Sequence, residues 1–159
     1  MSGPALKQMD AHRAIHDAAA EEAAELTELL RHLLQAQAWE KAEEMAYILV
    51  EHWQTRTLRH AGEEEAGFYL EVCQHHPEKA GDIAALTRDH DLMRTLVAEI
   101  EARLAAWNAT ENRTVLDDPD TWSGLLSRFE TLNWLVVMHS REEERRLLET
   151  QVCEEVLLV

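Results

Sequence analysis

Two cysteines, Cys73 and Cys153, stand in 159 residues, too few for a disulfide framework. Glycine and proline are also scarce, at 5 and 3. That removes the punctuation of a turn-rich β fold and leaves long stretches dominated by Ala, Leu and Glu, which favour helix. Cations are in deficit: 15 Lys and Arg against 31 Asp and Glu give a net charge of −16. Nucleic acid and anionic membrane surfaces would repel such a chain, so neither is expected as a partner. No run of about 20 apolar residues exists to span a bilayer. The N-terminal MSGPALKQMDAHRAIHD has no secretion-type hydrophobic segment. Together these absences lead to the expectation of a reduced, cytoplasmic location. Hydrophobic residues make up 46% of the chain, enough for one domain, 1–159, around a sizeable core.

Apolar spacing predicts four helices. The first covers residues 5–36, with Leu6, Met9, Ile15, Ala19, Leu26, Leu30 and Leu33 at helical spacing. Its stop near LLQAQAW carries neither Gly nor Pro. The second covers 39–75, with Met45, Ile48, Leu49 and Trp53 on one side, Gly62 and Gly67 as points of bending, and Pro77 as the terminator. A third runs from 79 to 107. The polar segment 108–118 reads as a loop, and Asp118 followed by Pro119 is an N-cap with proline at the first helical position. A fourth helix then runs to near the C-terminus. The expected fold is all-α, an up-down-up-down four-helix bundle.

The chain also repeats itself. At an offset of 78, His90 falls on His12 and Leu104 on Leu26; at 79, His139 falls on His60, and Glu142, Glu143 and Glu144 fall on Glu63, Glu64 and Glu65. The bundle is thus two tandem helical hairpins. A single His-x-x-x-Glu pair is expected by chance in so acidic a chain. Two pairs in register, His60 with Glu64 and His139 with Glu143, each preceded by an aligned histidine, are not. His12 lies about 36 Å from the end of its helix and His60 about 32 Å from the start of the next, so an antiparallel hairpin sets them level. Residues four apart share a helix face. Four imidazoles and two carboxylates then meet at one level of the core, where burying them without a metal would be costly. This predicts a dinuclear site with Glu64 and Glu143 as bridges.

The order His12, His60-Ala-Gly-Glu-Glu64, His90, His139-Ser-Arg-Glu-Glu143 resembles the hemerythrin-like (HHE cation-binding) family over the whole chain. The resemblance implies a non-haem di-iron site, two Fe ions joined by an oxo or hydroxo bridge. It also implies small ligands such as O2, NO or peroxide. Imidazole and carboxylate ligands suit Zn or Mn as well. Oxygen-carrying members have His-x-x-x-His on the third helix, where this chain has Arg94 four residues after His90; the first helix instead has His12-x-x-x-His16. Two readings stand for His16: a fifth imidazole supplied from the opposite helix, or a core histidine one turn from the site. Arg56 and Arg94 are candidates to face the core and pair with the bridging carboxylates or a bound anion.

Other groups weigh less. His75 and His76 at a helix end read as solvated caps, and His32 and His52 stand too far along their helices for the same metal. Glu63, Glu65, Glu142 and Glu144 read as solvated, with Glu65 and Glu144 able to support ligands. Trp39, Trp53, Trp107, Trp122 and Trp134 read as packing residues. A ferritin-like di-iron fold would need Glu-x-x-His twice, and the chain has none. Three functions are compatible with the site: binding or sensing O2, NO or peroxide; an enzyme processing peroxide or NO; or an iron- or zinc-binding module acting through a protein partner.

Overall fold

The computed structural model describes residues 9–110 and 118–148; apart from short connections these are helical, without strands. The described residues form four long helices. α1 is Met9–Gln35. α2 spans 39–75 without a break, α-helical at Trp39–His52, Arg59–Glu63 and Tyr69–His75, with wide π-helical turns at Trp53–Leu58 and Glu64–Phe68. A single 3-10 turn, Pro77–Lys79, leads into α3, Ala80–Ala109. α4 spans 119–148, α-helical over Pro119–Glu143 and closed by a wide turn at Glu144–Leu148. The expected starts and stops agree to within two residues wherever they fall on described residues. Residues 1–8, most of the expected loop, and everything after 148, with Cys153, lie outside them.

Local chemistry explains the ends. The Asp118 carboxylate accepts the Asp120 backbone N–H at 3.1 Å, and Pro119 follows as expected. The end of α1 has a less visible cause. Gln37 adopts φ 55, and the N–H groups of Gln37 and Ala38 donate to the carbonyls of Leu34 and Leu33. This is a left-handed C-terminal cap built on glutamine instead of glycine.

α1 packs on α2 and α4, and α3 on α4 and α2. Each helix buries one stripe. On α3 it is Leu86, His90, Met93, Val97, Ile100, Leu104 and Trp107, a perfect alternation of three and four. On α1 it is His12, His16, Ala19, Ala23, Thr27 and Leu30. Alanine and histidine therefore carry the inner face of α1, and Ile15, expected there, is 38% exposed. Ile48 on α2 is likewise turned out, at 47%. Trp53, Trp122, Phe129 and Leu30 fill the main core, each worth about 1.5–3 kcal/mol of burial. Trp134 departs from the packing role expected of it: it is 64% exposed, because the α4 stripe runs through Leu132 and Val136 to either side. A smaller apolar cluster, Phe68, Tyr69, Val72, Leu86 and Leu147, lies apart from the main core. Between the two, the inward stripes change from apolar residues to histidine and glutamate.

Candidate metal centre

Every side chain predicted for the site reaches one place. His12, His16, His90, His139, Glu64 and Glu143 are buried, and His60 is nearly so. One atom each of His12, His16, His60 and Glu64 falls within 4.8 Å of all the others, and Glu64, His90 and His139 form a second such group. Glu64 belongs to both. Its Oε1 faces His12, His16 and His60 Nε2 at 3.3, 3.0 and 2.9 Å, and its Oε2 faces His90 Nε2 at 3.4 Å. His60 and His16 Nε2 stand 2.9 Å apart, and His90 and His139 Nε2 3.0 Å apart. Two ligand atoms at right angles on a metal, with bonds of about 2.1 Å, stand about 3.0 Å apart. The spacing fits ligands converging on a common centre.

The outer nitrogens show which tautomers are held. Ser140 Oγ donates to the Val136 carbonyl at 2.8 Å, so it accepts from His16 Nδ1 at 2.7 Å. His90 Nδ1 donates to Glu65 Oε1 at 2.8 Å. Each bond occupies Nδ1 and turns Nε2 inward, the nitrogen that a metal would take in place of a proton. Glu143 sits differently from Glu64: Oε2 is 2.6 Å from His12 Nε2, and Oε1 accepts the Tyr69 hydroxyl at 2.6 Å.

These imidazole–carboxylate contacts set the electrostatics. Burial pushes the Glu64 carboxyl up, but hydrogen bonds from His16, His60 and His90 overcome it and hold the pKa well below the usual value. Burial and the Glu64 charge push Glu143 up; the His12 bond brings it down on balance. For His12, burial favours the neutral ring, yet the Glu143 bond and charge raise its pKa. His90 is raised against burial by Glu64 and Glu65, while His139 is lowered by burial and the neighbouring His90. Burial first, then the charges of Glu143 and Glu64, pushes Tyr69 up, so it stays a neutral donor.

The family model of the hemerythrin HHE cation binding domain matches residues 8–150. The chain belongs to the hemerythrin HHE family. No curated protein and no solved structure matches it. The hemerythrin HHE assignment agrees with an all-helical chain whose buried histidines and glutamates could hold a metal ion. Within the described residues, no helix is long and apolar enough to cross a membrane.

Two expected roles change. Arg56 is exposed and pairs with Glu22 at 3.3 Å, and Arg94 binds Glu65 through both carboxylate oxygens at 3.0 Å and Asp91 at 2.9 Å. Neither guanidinium faces the core carboxylates, because Arg56 and Arg94 stand beside the inward stripes. Glu65 supports His90 as anticipated, whereas Glu144 pairs with Arg13. His32 is exposed, and half-buried His52 contacts the Ala19 carbonyl at 3.1 Å. Tyr69 and Ser140 were missed as parts of the site. Their signal was a break in the repeat: Tyr69 aligns with Leu148, and Ser140 with Ala61.

Proposed function

We infer that this hemerythrin HHE chain is a non-haem di-iron protein that binds or senses O2, NO or peroxide. The carrying observation is Glu64, whose two oxygens address two separate histidine groups. A carboxylate so placed is suited to bridge two metals. His12, His16 and His60 would hold one iron, and His90 and His139 the other, with Glu143 beside the three-histidine group. This reading takes His16 as the fifth imidazole, since its Nε2 lies at the centre and its Nδ1 is engaged outside. It also takes the bundle as up-down-up-down. In support, Thr27 contacts Asn133, while His16, earlier on α1, contacts Ser140, later on α4.

The pocket supports small ligands. About 20 Å³ of space lies against the centre, lined by Ile15, Thr57, Met93 and Val136 with His16, His60, Glu64, His90 and His139. That is room for a group the size of one water or a diatomic molecule. It touches both histidine groups, with the two-histidine group having the lower ligand count and thus room for an exogenous ligand. Bound iron would supply redox chemistry and an electrophilic binding position; the protein orients the imidazoles and keeps Tyr69 protonated beside Glu143.

The test is anaerobic Fe(II) loading followed by metal analysis and optical spectra before and after air. About two irons per chain are expected, falling in Glu64→Ala. Full occupancy in the Glu64→Ala, Glu143→Ala double variant would sink the assignment.

A further inference from the structure

Threonines inside a helix ordinarily return their hydroxyl to the carbonyl one turn back. Thr27, Thr55, Thr95 and Thr131 do so here, at 2.7, 2.7, 2.8 and 2.8 Å to the carbonyls of Ala23, Glu51, Asp91 and Ser127. Thr57 does not. Its Oγ1 is buried and has no hydrogen-bond partner. The residue lies in the wide turn Trp53–Leu58, where the regular helical register is interrupted, and it lines the pocket against the histidine groups. A buried hydroxyl without a partner is unfavourable, and buried polar groups in proteins are nearly always paired. Wide turns of this kind occur mostly as single insertions and often at functional sites. The remaining non-ligand walls, Ile15, Met93, Val136 and Ala61, are apolar. Among the described residues, Thr57 is therefore the one hydroxyl that the pocket offers a ligand.

We propose that Thr57 is a specificity-determining residue whose hydroxyl donates a hydrogen bond to a small, hydrogen-bond-accepting ligand in this pocket, of the peroxide or azide type. The proposal rests on the di-iron reading and names the ligand class of that site. A purely apolar wall disfavours a ligand with negative charge on its outer atom, because that charge is buried unpaired; one donor at the wall offsets the penalty and favours a ligand with negative charge or lone pairs there. Thr55, in the same turn, returns its hydroxyl to the Glu51 carbonyl, whereas Thr57 has no protein acceptor, which keeps its donor available.

The experiment uses iron-loaded full-length protein and azide as probe, with binding followed by optical titration. Thr57→Val removes the hydroxyl and keeps the shape. It should weaken azide by about 10-fold or more, the value of one hydrogen bond to a charged group. Thr57→Ser should restore wild-type affinity, and Thr55→Val, whose hydroxyl is on the outside, should leave it unchanged. Stability gives an independent readout: metal-free Thr57→Val should unfold at higher urea than wild type, because an unpaired buried hydroxyl is gone. Wild-type azide affinity in Thr57→Val, an equal loss in Thr55→Val, or a lower urea midpoint for Thr57→Val would each overturn the proposal while leaving the di-iron reading intact. Failure of the wild type to take up iron would remove both.

Discussion

Glu65 and Glu144 occupy equivalent places in the two halves of the chain, yet their contacts differ. Glu65 accepts His90 Nδ1–H and is held by Arg94. Glu144 turns to Arg13, and the corresponding nitrogen, His12 Nδ1, is buried without a partner. The two histidine groups thus receive unequal support, a carboxylate behind one and the neutral Ser140 hydroxyl behind the other. A carboxylate behind an imidazole raises its basicity as a ligand. Glu65→Gln keeps an acceptor for Nδ1 but removes the charge. It should weaken binding of one of two Fe(II) ions by about 10-fold in an anaerobic calorimetric titration, at the low end of the range for such outer contacts. Glu144→Gln should leave both binding events as in wild type. Equal losses in the two variants would mean that the asymmetry has no energetic consequence. Tyr69 poses a similar question. Tyr69→Phe leaves Glu143 Oε1 without its 2.6 Å donor, and the metal-free protein should lose about 1–3 kcal/mol in urea unfolding.

At the level of helices, much was legible and two features were not. The spans of α2 and α3 followed from three–four periodicity bounded by Pro77, and the start of α4 from Asp118-Pro119. The clustering of His12, His60, His90 and His139 followed from register, because they recur with the repeat. The wide turns were invisible: Gly62 and Gly67 suggested bending, whereas α2 stays continuous and absorbs an extra residue at Glu64–Phe68. That insertion brings Val72 instead of Glu71 inward after Glu64 and Phe68, a choice made by packing and not by local propensity. Nor does glutamine announce a left-handed cap. Two substitutions test these assignments by thermal or urea unfolding. Gln37→Gly relieves a side chain at φ 55 and should stabilise by about 1 kcal/mol. Gly62 is in regular helix with open space around an added Cβ, so Gly62→Ala should stabilise by about 0.5–1 kcal/mol. A loss from the glycine at 37 would show that the cap depends on the glutamine side chain.

For the whole molecule, the centre makes opposite demands with and without metal. In the metal-free fold His12 and His90 bind protons more tightly than the ordinary imidazole value of 6.5. Their contribution to stability is complete below that value and is lost as pH rises through their folded values. His139 works the other way: its depressed value makes its contribution complete above 6.5 and lost as pH falls through the folded value. Glu64 and Glu143 stabilise above 4.5 and fail only as pH drops through their lower folded values. Two raised imidazoles against one lowered leave the metal-free protein less stable as pH climbs above 6.5, when Glu64 and Glu143 lose their cationic neighbours. Metal reverses the slope, because protons compete with it for the same imidazoles and its affinity grows as they leave. At free metal 100-fold above the dissociation constant, each ion adds about 2.7 kcal/mol, or about 5–10 °C in Tm for a domain of this size. Thermal melts of metal-free and iron-loaded protein between about pH 5.5 and pH 8.5 should therefore diverge, the gap widening towards alkaline pH. Parallel curves would place the metal outside this cluster of imidazoles and carboxylates.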